Sequence, residues 1–170
     1  QIDLEGGMSN CNRPFTDSMD KPGPYLGKGN NNEWGEKYVD ILERIMNSDQ
    51  SVIHSEYDRG CHLEYPGGVS AHSYPDAEEF WMGLRSSMPS ATFSVEHQIG
   101  REDNNMSPRA AVRWSLKGKH EGSGVFGEPT GAELYVMGVS HAEFGPSGLR
   151  REYTLFDETA LWKQILIKMG

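Results

Sequence analysis

The sequence predicts an α+β fold in which helices pack on one face of a curved antiparallel sheet. Apolar residues recur at helical spacing in two stretches of the first half of the chain. After Ala91 they alternate at a period of two through four successive stretches, as they do in half-buried strands. Short turn-like segments join these stretches, which makes neighbouring strands antiparallel, and a further helix-like segment follows them.

The N-terminal 32 residues differ in composition from the rest of the chain. Residues 12–32 are dense in Pro, Gly and Asn, and few of them are apolar at any helical or strand period. Such a segment cannot bury enough surface to offset the entropy lost on ordering it. We therefore expect an irregular arm over residues 1–32, disordered or laid over a partner surface, followed by one domain over residues 33–170.

The first helix is predicted directly after this arm. Trp34, Tyr38, Ile41, Leu42 and Ile45 recur at the spacing that places them on one face of an amphipathic helix, and the asparagines before them are suited to cap it.

The next segments are shorter. Residues 51–58 predict a second helix that ends near Gly60, and residues 61–66 predict a short strand with a glycine turn after it. Pro75 opens a third helix, which we expect to continue over residues 76–88.

Four strands and a last helix complete the prediction. The strands are expected at residues 91–102, 109–122, 132–144 and 149–157, which are rich in Val, Phe, Tyr, Trp and Thr. The final helix is expected at residues 157–169.

The composition excludes several classes of function. The 16 Lys and Arg residues against 25 Asp and Glu give a net charge of −9, which argues against a nucleic-acid groove or an anionic membrane surface. No window of about 18 apolar residues is present, so we expect no membrane span. Residues 1–10 lack the features of a signal peptide, and Cys11 and Cys61 are most simply free thiols, so we expect a cytoplasmic protein.

The last predicted hairpin brings two candidate catalytic residues together. If residues 145–148 form a four-residue loop, Phe144 lies opposite Leu149 and His141 lies opposite Glu152 on the same face. In a water-poor cleft such a pair can act as a general base, whereas on a solvated face it is an ordinary cross-strand polar pair. The same register pairs Glu143 with Arg150, Val139 with Thr154 and Met137 with Phe156.

His120 and Trp114 are further candidates on one predicted strand. His120 ends this strand beside a glycine-rich segment, where it can overhang the mouth of a pocket or simply be exposed. Trp114 has the same parity and can serve as a platform for a ligand ring or as part of the core. No strand carries a His-x-His pair, and no Cys-x-x-Cys motif is present, so we expect no metal site.

The chain resembles the SnoaL-like polyketide cyclases of the nuclear transport factor 2-like superfamily over about residues 33–167. The pairing of His-x-Gly with Pro-Thr-Gly at this spacing is the most specific part of the likeness. The matching elements are Arg113-Trp114, Gly118 with His120 and Gly122, Gly127 with Pro129-Thr130-Gly131, Gly138 with His141, and Glu152 through Asp157.

This resemblance implies a cone in which helices close over a curved sheet and leave a deep, mostly apolar pocket. It also implies a homodimer without a cofactor and, for the cyclases, an intramolecular aldol condensation. His120 matches a histidine of their active site, and Asp157 matches an aspartate at the start of the last helix. The catalytic aspartate of the cyclases is replaced by Thr154, whose hydroxyl has no useful basicity, so their mechanism does not carry over intact.

Our leading hypothesis is a pocket protein for a small hydrophobic molecule that catalyses cofactor-free proton transfer, ring closure or isomerisation on a carbonyl compound. Glu152 with His141 would be the base, and His120 would contact the oxyanion. The pocket wall would be formed by Trp114, Thr154, Phe156, Tyr57 and Trp34.

Two alternatives remain open. One is a non-catalytic protein that binds a hydrophobic ligand, in line with Thr154 at the aspartate position. The other is an epoxide hydrolase, whose Asp–Arg–Asp arrangement is matched in part by Arg113 or Arg150 with Glu152.

Overall fold

The computed structural model describes residues 27–170, which form one six-stranded sheet with four helices. The strands lie in the order β2-β1-β6-β5-β4-β3. In chain order the elements are α1 (Glu33–Met46), α2 (Ser51–Glu56), β1 (Tyr57–Tyr65), β2 (Val69–His72), α3 (Tyr74–Ser87), β3 (Thr92–Arg101), β4 (Arg109–Lys119), β5 (Glu133–Gly145), β6 (Gly148–Phe156) and α4 (Glu158–Met169).

Side-chain caps fix where α1 and α4 begin. The Asn32 side chain accepts a hydrogen bond from the Trp34 amide at 3.0 Å, and the Asp157 side chain accepts one from the Ala160 amide at 3.0 Å. The buried face of α1 includes Tyr38, as the apolar spacing predicted.

The sheet is mixed rather than wholly antiparallel, because β1 pairs in parallel with β6. The four strands expected after Ala91 are confirmed, and β3 to β6 pair antiparallel in sequence order. The second helix, expected to end near Gly60, ends at Glu56, and residues 57–60 already belong to β1. Strand β2, which was not predicted from the sequence, forms a hairpin with β1.

Of the arm expected over residues 1–32, residues 1–26 lie outside the described residues. The described remainder covers the free edge of β3, where the Asn30 side chain exchanges two hydrogen bonds of 2.9 Å with the backbone of Gly100. Backbone groups of the edge strand β3 are thereby hydrogen-bonded although no further strand among residues 27–170 lies beside it.

A β-bulge in the last hairpin changes the register of β5 and β6. Phe144 pairs with Leu149, as predicted, but Glu143 pairs with Arg151, which leaves Arg150 as an extra residue on β6. The Arg150 guanidinium bonds the Glu143 carboxylate, with Nε to Oε1 at 2.7 Å.

Because of this shift of one residue, the predicted pairing of His141 with Glu152 is wrong. His141 pairs with Tyr153, and Glu152 pairs with Ala142, so the two side chains lie on opposite faces of the sheet. The predicted pairs of Glu143 with Arg150, Val139 with Thr154 and Met137 with Phe156 are wrong for the same reason.

The two faces of the sheet have different environments. The inner face packs against α1 and α3, and its buried side chains include Trp114, Leu116, Phe144, Glu152 and Thr154. The outer face carries exposed apolar side chains from three strands, namely Ile99, Met137, Val139, Tyr153 and Leu155.

Helix α4 covers the stretch of β5 that extends beyond the end of β6. The Gln164 side chain accepts a hydrogen bond from the Tyr135 amide at 2.8 Å and donates one to the Tyr135 carbonyl at 3.1 Å. One side-chain amide therefore satisfies both backbone groups that a neighbouring strand would otherwise pair.

Candidate functional site

Glu152 lies at the centre of the inner face and is fully buried. Its Oε2 accepts hydrogen bonds from the Tyr57 hydroxyl at 2.6 Å and the Tyr38 hydroxyl at 2.9 Å. Its Oε1 accepts them from the Tyr65 hydroxyl at 2.7 Å and the Trp81 indole nitrogen at 2.9 Å. We call these five residues the Glu152 cluster.

Burial and hydrogen bonding act on Glu152 in opposite directions. Burial raises the pKa of the carboxyl above its ordinary value, and the four donors lower it by a smaller amount. Burial also raises the pKa of each of the three tyrosines well above the ordinary value of 10.0, so all three hydroxyls remain protonated donors at neutral pH.

Each carboxylate oxygen of Glu152 is thus occupied by two donors, and its surroundings are aromatic. A general base must reach the proton that it abstracts, so in this arrangement Glu152 has no free position for a substrate. The cluster holds together residues from α1, β1, α3 and β6.

A second set of buried polar groups lies beside this cluster. The Trp114 indole nitrogen donates to the Ser140 hydroxyl at 2.9 Å, and the hydroxyls of Ser140 and Thr154 are 2.8 Å apart. The Trp114 ring is fully enclosed and lies where a Cβ on Gly138 would stand. Trp114 and Thr154 are therefore parts of the packed interior.

His141 lies on the outer face, with its ring centroid 6.1 Å from that of Tyr153. Partial burial and the nearby Arg109 guanidinium lower the pKa of His141 below its ordinary value, and Glu143 opposes them. Because His141 lies on the outer face and Glu152 on the inner face, the two side chains cannot act together as the predicted general base.

His120 follows the end of β4 and is fully buried. Its Nδ1 is 3.0 Å from the Thr130 hydroxyl, while its Nε2 is buried and has no hydrogen-bond partner. The Thr130 oxygen also accepts from the Ala132 amide at 3.4 Å, which leaves its proton available for Nδ1 of His120. If the Thr130 hydroxyl donates to Nδ1, the ring proton of His120 is on Nε2 and that buried atom is a hydrogen-bond donor.

Aromatic rings from four elements and one loop form a chain of contacts that reaches His120 through Phe126. We call Tyr65, Phe80, Phe126, Phe156 and Trp162 the aromatic cluster. Ring centroids are 3.9 Å apart for Tyr65 and Phe80, 6.3 Å for Phe80 and Phe156, 6.5 Å for Phe126 and Phe156, and 6.1 Å for Phe126 and Trp162. The Phe126 ring is perpendicular to the His120 ring at 6.1 Å.

Phe156 also forms a wall of an apolar cavity of about 170 Å³ at the start of α4. The remaining lining residues are Tyr135, Val136, Met137, Asp157, Ala160 and Leu161. Of the residues assigned to a pocket wall, Phe156 is thus the one that borders both the aromatic cluster and a cavity.

The other two predicted wall residues lie elsewhere. Tyr57 belongs to the Glu152 cluster. Trp34 packs on Phe144, with ring centroids 5.1 Å apart, and its indole nitrogen donates to the Glu102 carboxylate at 2.9 Å. Phe144 lies near the C-terminal end of β5, away from Gly138, which is the residue that pairs with Phe156.

The arrangement expected for an epoxide hydrolase is not formed. Arg113 is exposed and pairs with Val139 on the outer face, and Arg150 bonds Glu143 at the bulge. No arginine is among the hydrogen-bond partners of Glu152.

Other chemistry is limited over residues 27–170. In this part of the chain no three His, Cys, Asp or Glu side chains are grouped to hold a metal ion, and no helix has the length and apolarity needed to span a membrane. Burial raises the pKa of the Cys61 thiol to about 11, which makes it a poor nucleophile.

Searches with this sequence found no matching family model and no matching curated protein. Solved structures do match. AclR from Streptomyces galilaeus, provisionally described as a hydroxylase, is 16% identical with a TM-score of 0.65 over 78% of this chain and 80% of its own. A protein of Jannaschia sp. CCS1, provisionally described as a SnoaL-like polyketide cyclase, is 15% identical with a TM-score of 0.63 over 80% of this chain and 96% of its own.

IdmH from Streptomyces antibioticus, provisionally described as a polyketide cyclase, gives a TM-score of 0.63 at 13% identity and covers 79% of this chain and 99% of its own. The chain has the SnoaL-like fold. The α+β architecture predicted from the sequence is thereby confirmed, with a curved sheet covered by the N-terminal helices and followed by a C-terminal helix.

Within this SnoaL-like fold, most of the residues around Glu152 and His120 were not predicted from the sequence. Tyr38, Tyr65 and Trp81 surround Glu152 from positions 71 to 114 residues away in the chain. Phe126 contacts the His120 ring, and Phe80 is linked to Phe126 through Phe156. The sequence does place aromatic residues at inward-facing positions on separate elements. This pattern predicts that they share the interior, but it does not predict which of them are in contact.

Proposed function

We propose that this protein binds a small hydrophobic molecule with a hydrogen-bond-accepting oxygen, at the end of the inner face next to His120. The observation that carries the proposal is the buried Nε2 of His120, which has no partner. A buried polar atom without a hydrogen bond is costly, and a ligand oxygen would remove that cost.

The surroundings of His120 support the hydrophobic character of this ligand. Phe156 and Trp162, whose rings contact Phe126, supply apolar walls, and a Thr130 hydroxyl that donates to Nδ1 leaves the ring proton of His120 on Nε2. An imidazole in this tautomer donates to a carbonyl or ether oxygen, and it does not abstract a proton through Nε2.

Binding is better supported than acid–base catalysis by the residues first considered. Glu152 is occupied by four donors, His141 lies on the other face, and Thr154 replaces the aspartate of the cyclases. A second candidate function is catalytic. In it, Nε2 of His120 would donate to the carbonyl oxygen of a bound compound and stabilise the oxyanion that forms there.

Binding of prodan, a fluorescent naphthyl ketone, tests the proposal. We expect saturable binding with a blue-shifted emission, which His120→Leu weakens about tenfold through loss of one hydrogen bond. His141→Leu is the matched control and should bind like the wild type, because His141 lies on the outer face. Absence of saturable binding to the wild type, or equal affinity in His120→Leu, would refute the proposal.

We also propose that two copies of the chain associate through the outer face. Five apolar side chains are exposed there, and four of them lie on the adjacent strands β5 and β6, at Met137, Val139, Tyr153 and Leu155. A contiguous exposed apolar patch of this kind marks an interaction surface. Oppositely charged groups on the same face, such as Glu143 and Arg113, suit a self-complementary contact.

A further inference from the structure

We propose that residues 121–131, which we call the flap, cover the His120 site, and that Phe126 holds the place of an aromatic ring in the ligand. The inference rests on the proposed function and adds to it a ligand class, an aromatic ring carrying a hydrogen-bond-accepting oxygen. It also assigns Phe126 as the group that such a ligand displaces.

Burial along the flap singles out one side chain. Phe126 is 5% exposed and is the one residue of the flap that is buried, while most of its neighbours, Val125 among them, are exposed. Its ring stands perpendicular to His120 and edge-on to Trp162, each at 6.1 Å. The flap is therefore anchored in the protein by the ring that closes the site.

The base of the flap is well fixed. The His120 amide donates to the Ala132 carbonyl at 2.8 Å, and the Gly131 amide donates to the His120 carbonyl at 2.8 Å. Gly131 and Gly127 have φ angles of 69° and 80°, in the left-handed region that glycine adopts without strain. These bonds and glycines provide a defined point about which the flap can turn.

The tip of the flap is held to α3 more weakly. The Gly122 amide lies 3.3 Å from the Ser87 carbonyl, and the Val125 amide lies 3.4 Å from the Gly83 carbonyl. Both contacts are at the long end for hydrogen bonds. Segments with few buried side chains and long backbone contacts are those that open locally at low free-energy cost.

Glycines allow the flap to lie this close to α3. A Cβ on Gly122 would overlap the Ser86 carbonyl oxygen, and a Cβ on Gly124 would overlap the Gly83 carbonyl oxygen. Alanine at Gly124 should therefore push the flap away from α3 without altering Phe126 or His120. Ser123, exposed between these glycines, offers a neutral position for a control.

The position of Phe126 also defines what can replace it. Its ring is perpendicular to the rings of His120 and Trp162, and a flat aromatic ring can reproduce these contacts whereas a saturated ring cannot. A substituent oxygen on the incoming ring would then accept from Nε2 of His120. Because Phe126 closes the site, the apparent affinity of the wild type is the intrinsic affinity multiplied by the fraction of protein that is open.

Stopped-flow association of prodan tests the flap. We expect association about tenfold faster in Phe126→Ala and in Gly124→Ala than in the wild type, and an unchanged rate in Ser123→Ala. Phe126→Ala leaves a void that can lower stability, so Gly124→Ala supplies the same test with the ring retained. Binding at equal rates in all four proteins would overturn the flap and leave the proposed function intact.

Two further outcomes are informative. Absence of prodan binding in all four proteins would refute the proposed function and the flap with it. We expect acetophenone to displace prodan from the wild type at concentrations about fivefold lower than cyclohexyl methyl ketone, because aromatic contacts favour the flat ring. Equal displacement by the two ketones would overturn the aromatic ligand class.

Discussion

Glu152 illustrates how a carboxyl group can be held inside an apolar interior by neutral donors alone. Its four partners are three phenols and an indole, which supply hydrogen bonds but no positive charge. Burial therefore remains the dominant influence and keeps the pKa of Glu152 above 4.5, its ordinary value. A buried arginine partner would have reversed that direction.

This raised pKa makes a prediction about stability and pH. A group whose pKa is higher in the folded state stabilises the fold fully below its unfolded pKa, and that contribution is lost as pH rises through the folded pKa. We expect the free energy of unfolding of the wild type to fall relative to that of Glu152→Gln as pH rises from about 4.5. Urea denaturation of both proteins at several pH values measures this difference, and a pH-independent difference would contradict it.

Glu152→Gln is a suitable reference because the site can accommodate an amide. Tyr38 and Tyr57 share one oxygen, and both hydroxyls can rotate to accept from the amide nitrogen, whereas Trp81 can only donate and keeps the amide oxygen as its acceptor. Glu152→Leu leaves four buried donors without an acceptor. It should therefore cost at least about 4 kcal/mol of the free energy of unfolding.

At the scale of single elements, α4 stabilises the sheet through a polar side chain as well as through apolar burial. We expect Gln164→Leu to lower the free energy of unfolding by about 2 kcal/mol, because it strips the Tyr135 amide and carbonyl of their partner. Hydrogen exchange at the Tyr135 amide should accelerate as well. Ile167→Ala, at an exposed position on the same helix, is the control and should change neither quantity. Unaltered exchange at Tyr135 in Gln164→Leu would show that the contact is dispensable.

The elements themselves were largely predictable from the sequence, because each carries its own periodicity. The four late strands alternate at a period of two, and α1 begins at an asparagine that caps it. The start of β1 was missed because the apolar spacing of residues 51–58 suits a helix, whereas pairing of Tyr57 with Leu149 turns that residue into strand. Such tertiary pairing leaves no local signal.

The candidate site was less predictable, and one residue explains much of the difference. Arg150 is the extra residue of the β-bulge, and it moves the rest of β6 by one position relative to β5. Because side chains alternate between faces, that single step separates His141 from Glu152. The sequence shows a Gly-Pro-Ser-Gly turn next to two arginines, and nothing in that pattern distinguishes a bulged hairpin from a regular one.

At the scale of the whole molecule, the outer face of the sheet exposes five apolar side chains to solvent. Leu155 is 69% exposed there, opposite Val139 and on the same face as Tyr153. Association of two copies through this face would remove these side chains from water, and it would leave the inner face of each copy free for a ligand.

Sedimentation equilibrium of the wild type and two matched variants tests this association. We expect a dimer for the wild type and a monomer for Leu155→Glu, since a carboxylate at that position would have to be buried without a partner in the contact. Leu166→Glu is the control: Leu166 is 64% exposed, but it lies on α4 and not on the sheet, so this variant should remain dimeric. If Leu166→Glu dissociates the dimer and Leu155→Glu does not, the contact is made by α4, and the outer face must be exposed for another reason.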